Sequence, residues 1–333
     1  MARRAAGASE PHAAQAARDV LAYGNALDAV VAGVLAAAAE SPGVMLGPVQ
    51  LLVGGPGVGL HAIDGRVRQP GIGVARPRGV VAGEAVPAPS RVGVPALPAA
   101  LAVAHASLGS ATLLRVAGPA IERARAVAPE RARSVEAFAR RGAAAMTDEG
   151  IAFELTAVAG RAASGLLTRE DLAEVRPVLA ACDERVLGAS GVLTVPWRGQ
   201  GGESDGSATH VVAAADAHGI VAVGCYEVPL DGVPVPALGL LAPFFAAPVR
   251  RGEPRVRPGE PRPAAAPIAL RARRGLVDLA LGIGHAGDAD AALDRVVEAL
   301  DQAPTVAEAL SASGAGRAVA VVRTRETALT VAG

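Results

Sequence analysis

Ser207, Thr209 and His210 stand together at the start of an apolar run, in the segment DGSATHVVAAADAHGIVAVGCY (205–226). Hydroxyls at the mouth of a buried strand are residue types that can serve as nucleophiles once a base activates them. The run breaks at Asp216 and Gly219, a turn-forming pair, and a second β-type run ends at Tyr226. The pattern predicts a hairpin that presents a hydroxyl at a sheet edge. The competing reading makes Ser207 and Thr209 turn and capping residues.

Other chemistry is thinly represented. The chain has no lysine, which excludes a lysine nucleophile or Schiff base, and Asn25 is its only asparagine. Cys182 and Cys225 lie far apart, outside any CxxC, and read as small buried hydrophobes, which suggests a reducing compartment or indifference to redox. His12, His61, His105, His218 and His285 form no HxxxH or HxH pattern, and Asp288 and Asp290 near His285 suit a helix N-terminus better than a metal. GGPGVG (54–59) sits between two strand-like runs rather than before a helix, so phosphate cradling is disfavoured. No metal and no cofactor are expected.

Composition narrows the class. The 333 residues balance 32 basic against 32 acidic side chains, with 2% aromatics. Net neutrality and scarce stacking groups argue against nucleic acid and against a polybasic membrane patch. The opening MARRAAGASEPHAAQ has no apolar core, and the apolar run 29–39 is too short to span a bilayer. A soluble cytoplasmic protein is expected.

The elements that must position the hydroxyls follow from pattern. Helices are predicted over 13–21 and 26–39, the second capped by Asn25, then over 96–108, 117–127, 129–146, 150–163 and, from a Thr168 cap, 165–178. A hairpin is predicted from Gln50–Val53 and Gly59–Ile63, with a Pro-, Gly- and Arg-rich loop over 64–95. A proline–glycine segment at 195–207 leads into the 205–226 hairpin, and RRGEPRVRPGEPRP (250–263) reads as an exposed loop. Strands follow at 267–273 and 277–282, helices at 289–302 and 304–311, and strands at 317–323 and 327–331. Helices first and strands later give an α+β class. The division expected is a helix-rich part (1–204) and a sheet-rich part (205–333) in one compact unit.

Six segments in order carry a family likeness. They are 11–40, with GNALDA at Gly24–Ala29; HAIDGRVRQP (61–70); RVGVPALPAALAVAH (91–105); GPAIERARA (118–126); GLLTREDLAEVRPV (165–178); and 279–310. Together they resemble the γ-glutamyltranspeptidases of the N-terminal nucleophile (Ntn) hydrolase superfamily. The resemblance implies a four-layer αββα sandwich, shortened mainly between 127 and 164. It also implies a chemistry. A threonine hydroxyl attacks the peptide bond before it, the freed α-amine becomes the general base, and the hydroxyl then takes a γ-glutamyl group from a donor such as glutathione.

Two registers compete for the nucleophile. Aligning His210 with the signature histidine puts Ala208 there; aligning Asp216 and Gly219 without gaps puts Thr209 there. A one-residue slip inverts a strand's faces, so periodicity does not choose. Arg66 matches the family's carboxylate-binding arginine in DGRExxP, although Val67 replaces the glutamate; the alternative is a solvated loop arginine. Elsewhere the match fails. The amine clamp falls near Leu241–Phe245, the paired serines on Ala264 and Ala265, the oxyanion glycines near His285 and Ala286, the second-strand threonine and asparagine near Glu227 and Val228, and the pocket glycines on LGPVQ (46–50).

The expectation is a degenerate γ-glutamyltranspeptidase-like protein, without ordinary γ-glutamyl transfer or hydrolysis, acting as a binding or structural partner. The alternative is an autoprocessing amidohydrolase or acyltransferase with Thr209 as nucleophile and Arg66 as anchor, acting on a γ-glutamyl or less polar amide. The ligand expected is a small amide or amino-acid-like molecule, and the protein partner a second copy or a related active chain, with no nucleic acid and no membrane.

Overall fold

The computed structural model describes residues 4–75, 77–187, 190–198, 207–284, 289–303, 305–313, 317–323 and 328–332. Its helices are α1 (Pro11–Leu21), α2 (Ala26–Glu40), α3 (Leu97–Leu108), α4 (Leu113–Val116), α5 (Gly118–Val127), α6 (Pro129–Arg141), α7 (Glu149–Ala159), α8 (Arg169–Ala173), α9 (Ala289–Gln302) and α10 (Val306–Ala312). Its strands are β1 (Ala5–Ala8), β2 (Val49–Gly55), β3 (Gly59–Gly65), β4 (Val178–Ala180), β5 (Asp183–Leu187), β6 (Ser190–Thr194), β7 (Ala208–Ala215), β8 (Val221–Val228), β9 (Gly232–Val235), β10 (Leu240–Pro243), β11 (Ile268–Arg273), β12 (Leu276–Gly284), β13 (Arg317–Arg323) and β14 (Ala328–Ala332).

Two antiparallel sheets form, in the orders β1-β7-β8-β2-β3-β4 and β14-β13-β12-β11-β6-β5, with β9 and β10 as a separate ribbon. Each sheet takes strands from both sides of residue 204. Three apolar cores separate four layers. One lies between the first sheet and helices α1, α2, α3, α5, α6 and α7, one between the sheets, and one between the second sheet and α9 and α10. This is the expected αββα sandwich.

Asn25 starts α2 with a capping box: its side chain accepts from the Asp28 N–H, and the Asp28 carboxylate accepts from the Asn25 N–H. Every α2 residue from Ala26 to Ala39 is buried, as an apolar run of small residues requires. The helix lies close on β7. A Cβ on Gly33 would sit 2.8 Å from Val212 Cγ1. The sheets approach as closely on the other face, where a Cβ on Gly282 of β12 would lie 2.9 Å from Val211 Cβ. Both faces of β7 are therefore filled.

The β7–β8 turn is tied to α2 by one carboxylate. Asp216 Oδ1 accepts from the N–H groups of His218, Gly219 and Ile220, and Oδ2 accepts from the Ala26 N–H at 3.1 Å. Gly219 takes a φ of +98°, which a side chain would strain. The sequence pair Asp216–Gly219 thus builds a turn and docks it on a helix N-terminus.

Several predicted bounds shift for local reasons. The helix expected over 165–178 stops at Ala173, because Pro177 disfavours helical backbone before it; Val178 then opens β4. The 129–146 helix ends at Arg141, where Gly142 has a φ of +58° and a 3₁₀ turn follows. The 150–163 helix ends at Ala159 before Gly160. Strands β1, β4, β5, β6, β9 and β10 were not anticipated, since AAGA lacks β-branched residues and DERVL is mostly polar. Most of the 195–207 segment lies outside the described residues.

Asp216 carries more backbone partners than a surface turn residue needs. Asp216→Ala should destabilise the protein by about 2–4 kcal/mol, the cost of leaving several buried N–H groups unpaired. Urea unfolding measures it, and a change within ~0.5 kcal/mol would remove this residue from the account.

Candidate functional site

The pleat of β7 sorts its side chains into two environments. Val211, Ala213 and Ala215 belong to the core between the sheets, while Val212 and Ala214 belong to the helix-side core. Successive side chains alternate, so Thr209 projects between the sheets and Ala208 and His210 project toward the helices. Thr209 is buried and pairs with Glu227 of β8, which shares its face. The Ser207 hydroxyl, two residues earlier, donates to Glu227 Oε2. The gapless register thus corresponds to a threonine between the sheets, and the histidine-matched register to an alanine facing the helices.

His210 is held on the helix side by three neighbours. The Ser9 hydroxyl lies 3.3 Å from its Nδ1, Glu10 Oε1 lies 3.6 Å from the same nitrogen, and the Tyr226 ring stacks on it at 5.8 Å. The Tyr226 hydroxyl donates to Glu10 Oε2 at 2.8 Å. Because serine and carboxylate approach one nitrogen, the imidazole cannot relay a proton from one to the other through its two ends. Burial lowers the His210 pKa, against the raising effect of Glu10, with Arg317 adding to the lowering.

Arg66 is neither exposed nor solvated, which corrects the loop-arginine alternative. It is 5% exposed, and its Nε and Nη2 donate to Asp64 Oδ1 and Oδ2 at 3.0 and 3.1 Å. Its backbone N–H also donates to Oδ1. Arg68 Nη2 shares Oδ2 at 3.1 Å, and the Arg66 guanidinium lies 5.4 Å from the Trp197 ring centroid. Burial lowers the Arg68 pKa, with Asp64 opposing it. Extending the strand registers by one residue puts Arg66 in the cross-strand row of Thr209 and Glu227, about 14 Å from Thr209 across three strand spacings.

Gln50, Asp64, Trp197 and Glu227 share this interior and were missed as site residues. Gln50 donates to the Ala265 carbonyl and accepts from the Trp197 indole N–H. Polar residues inside apolar strand runs, and the only tryptophan of the chain, were the available signals.

The positions expected to have lost the family's groups are now placed. Leu241–Pro243 belong to β10, paired with β9, and the Phe244 ring packs under Arg91 at 4.5 Å. Ala264 and Ala265 offer only backbone, and the Ala265 carbonyl is engaged by Gln50. His285, Ala286 and Asp288 lie outside the described residues. Asp290 lies in the first turn of α9, where Arg198 Nε approaches its carboxylate at 3.5 Å. His105 sits 2.9 Å from the Ala111 carbonyl and 3.5 Å from Asp28, a packing role. Among the described residues no group of three or more His, Cys, Asp and Glu side chains could hold a metal ion. Burial raises the Cys182 pKa to about 11 and that of Cys225 well above its ordinary value, so neither thiol is an activated nucleophile. No described helix is long and apolar enough to cross a membrane.

No protein-family model matches the sequence, and no curated protein matches it. Solved structures do match its fold. Cephalosporin acylase from Bacillus halodurans superposes with a TM-score of 0.73 at 16% identity, covering 100% of this chain and 94% of that one. LmbA2991HD does so with a TM-score of 0.75 at 15% identity, covering 100% and 97%. Helicobacter pylori γ-glutamyltranspeptidase matches 56% of this chain and 68% of its own, at 19% identity and a TM-score of 0.46. The whole-chain likenesses establish the fold, a four-layer αββα sandwich.

Two measurements follow from the buried charges. Asp64→Asn strips the carboxylate from two buried guanidinium groups and should cost about 3–5 kcal/mol in denaturant unfolding; a loss under ~1 kcal/mol would show that the pair is not the buried ion pair described. For His210 the folded pKa lies below the ordinary 6.5. The unfolded chain therefore binds the extra proton first as pH falls. The stability it contributes is full above about pH 6.5 and is lost as pH drops through the folded value. His210→Gln should flatten that slope, and an unchanged slope would assign it to other groups.

Proposed function

We propose that this chain keeps the Ntn-hydrolase scaffold without ordinary γ-glutamyl transfer or hydrolysis, and acts as a binding or structural partner, of a second copy or a related active chain. The carrying observation is Arg66. Its guanidinium is clamped from two nitrogens by Asp64 and covered by Trp197. An arginine whose charge is already matched inside the protein has little to offer a substrate carboxylate. The apolar β10 region and the alanines at 264–265 add no side chain that would pair an ammonium. Desolvating a charged γ-glutamyl headgroup there would go uncompensated. The cytoplasm is the compartment we propose, consistent with two free cysteines.

One observation favours a second reading. Thr209 projects between the sheets at the start of β7, where a freed threonine would carry hydroxyl and α-amine together. On this reading the chain cleaves itself between Ala208 and Thr209 and acts as an amidohydrolase or acyltransferase. A less polar amide than a γ-glutamyl compound would suit the apolar β10 region, and the whole-chain fold likeness to an acylase points the same way.

Intact mass distinguishes the two. The scaffold reading expects one chain of 33.0 kDa that stays whole on storage and releases no nitroaniline from γ-glutamyl p-nitroanilide. Two fragments split before Thr209, abolished by Thr209→Ala, would replace it with the second reading.

A further inference from the structure

A second site lies at the β1 edge of the sandwich, beside the start of β7. A cleft of about 540 Å³ opens where the β1–α1 connection meets the start of β13, lined by Ser9, Glu10, His12, Glu40 and Arg317 over a floor of Ala318 and Val319. Its size is that of a small-molecule pocket. It is open at His12 and Arg317, which are both exposed.

The charges on its walls do not cancel locally. Glu40 is matched by Arg123, with His12 at 3.6 Å. Glu10 is anchored instead by Tyr226 and His210. The buried Tyr226 hydroxyl fixes Oε2, and the buried His210 lies beside Oε1. Tyr226 is 1% exposed, so the carboxylate is oriented from inside the fold. Arg317, also in the lining, has no side-chain hydrogen bond or ion pair among the described residues. The cleft therefore presents one fixed carboxylate and one guanidinium without an ion-pair partner among the described residues. A carboxylate placed by a buried tyrosine can pair an ammonium, and a free guanidinium can take an anion in its fork.

We propose that this cleft binds a small zwitterion, its ammonium on Glu10 and its anionic end on Arg317. Its two charged groups are ones that the proposed chemistry at Thr209 does not use. The ligand needs both charges on one molecule, because a single charge would leave one wall unmatched.

Calorimetric titration of the full chain with β-alanine, 4-aminobutyrate and 6-aminohexanoate tests this, with n-butylamine and butyrate as single-ended controls. At least one zwitterion should bind saturably and about tenfold or more tighter than either control, the scale of one charge-assisted hydrogen bond. Arg317→Gln, at an exposed position, and Glu10→Gln, which keeps an acceptor for Tyr226, should each weaken that binding about tenfold or more. Thr209→Ala should leave it unchanged whether or not the chain is an enzyme. Absence of saturable binding by all three zwitterions, equal binding of the controls, or parental affinity in Arg317→Gln would overturn the assignment.

Discussion

Burial of β7 on both faces is the constraint from which the rest of this structure follows. Val212 presses on α2 at Gly33, and Val211 presses on β12 at Gly282. A strand so enclosed cannot slip by one residue, because a slip would drive the wrong set of side chains into each core. Asp216 locks the phase from the far end by tying the turn after β7 to the first turn of α2. Every assignment at the near end inherits that phase. Thr209 and Glu227 go between the sheets, and His210 goes to Glu10 and Tyr226. The two environments of chemical interest are therefore set by one pleat.

The interior between the sheets is not uniformly apolar, and its Asp64 and Gln50 clusters are paired from within the fold. Asp64 accepts from Arg66 and Arg68, and Gln50 joins the Trp197 indole to the Ala265 carbonyl. Buried charge survives only when its partners are supplied by the fold itself. Here they are supplied from β3 and its continuation, so Asp64, Arg66 and Arg68 are paired without a ligand. That pairing supports the scaffold reading, since a binding group must keep unmet capacity for its substrate. Arg317 has that capacity and Arg66 does not.

Much of this was legible in the sequence, though unevenly. Asn25 and Thr168 announced capped helices because capping is a local interaction between residues three apart. The β2–β3 and β7–β8 hairpins were legible because apolar runs flanked turn residues. The strands β1 and β5 were hidden, since a small or polar strand is made by its partner strand rather than by its own pattern. The register at Thr209 was not decidable for a related reason. Phase on a doubly buried strand depends on what lies above and below, and alternating alanines and valines look alike from either face. Arg66 was legible as an arginine worth attention, but its pairing with Asp64 is a close contact that spacing alone left open.

The groups that hold the fold and the groups that would do chemistry are different groups. Asn25, Asp28, Asp171 and Asp216 each satisfy backbone N–H groups at helix starts or turns, and each is buried. None of them faces Thr209. Changes at the residues around Thr209 would therefore leave the caps, the turn and both sheet contacts intact, so the sandwich does not depend on any chemistry there. The same separation explains how a whole-chain fold likeness coexists with identity as low as 15–16%. A core of alanine, valine and leucine tolerates many sequences of similar volume, while caps and turns need only a few residue types at a few positions. On the reading proposed here, what such a scaffold then does is decided at residues with unmet charge, such as Arg317 in the β1–α1 cleft that it shares with Glu10.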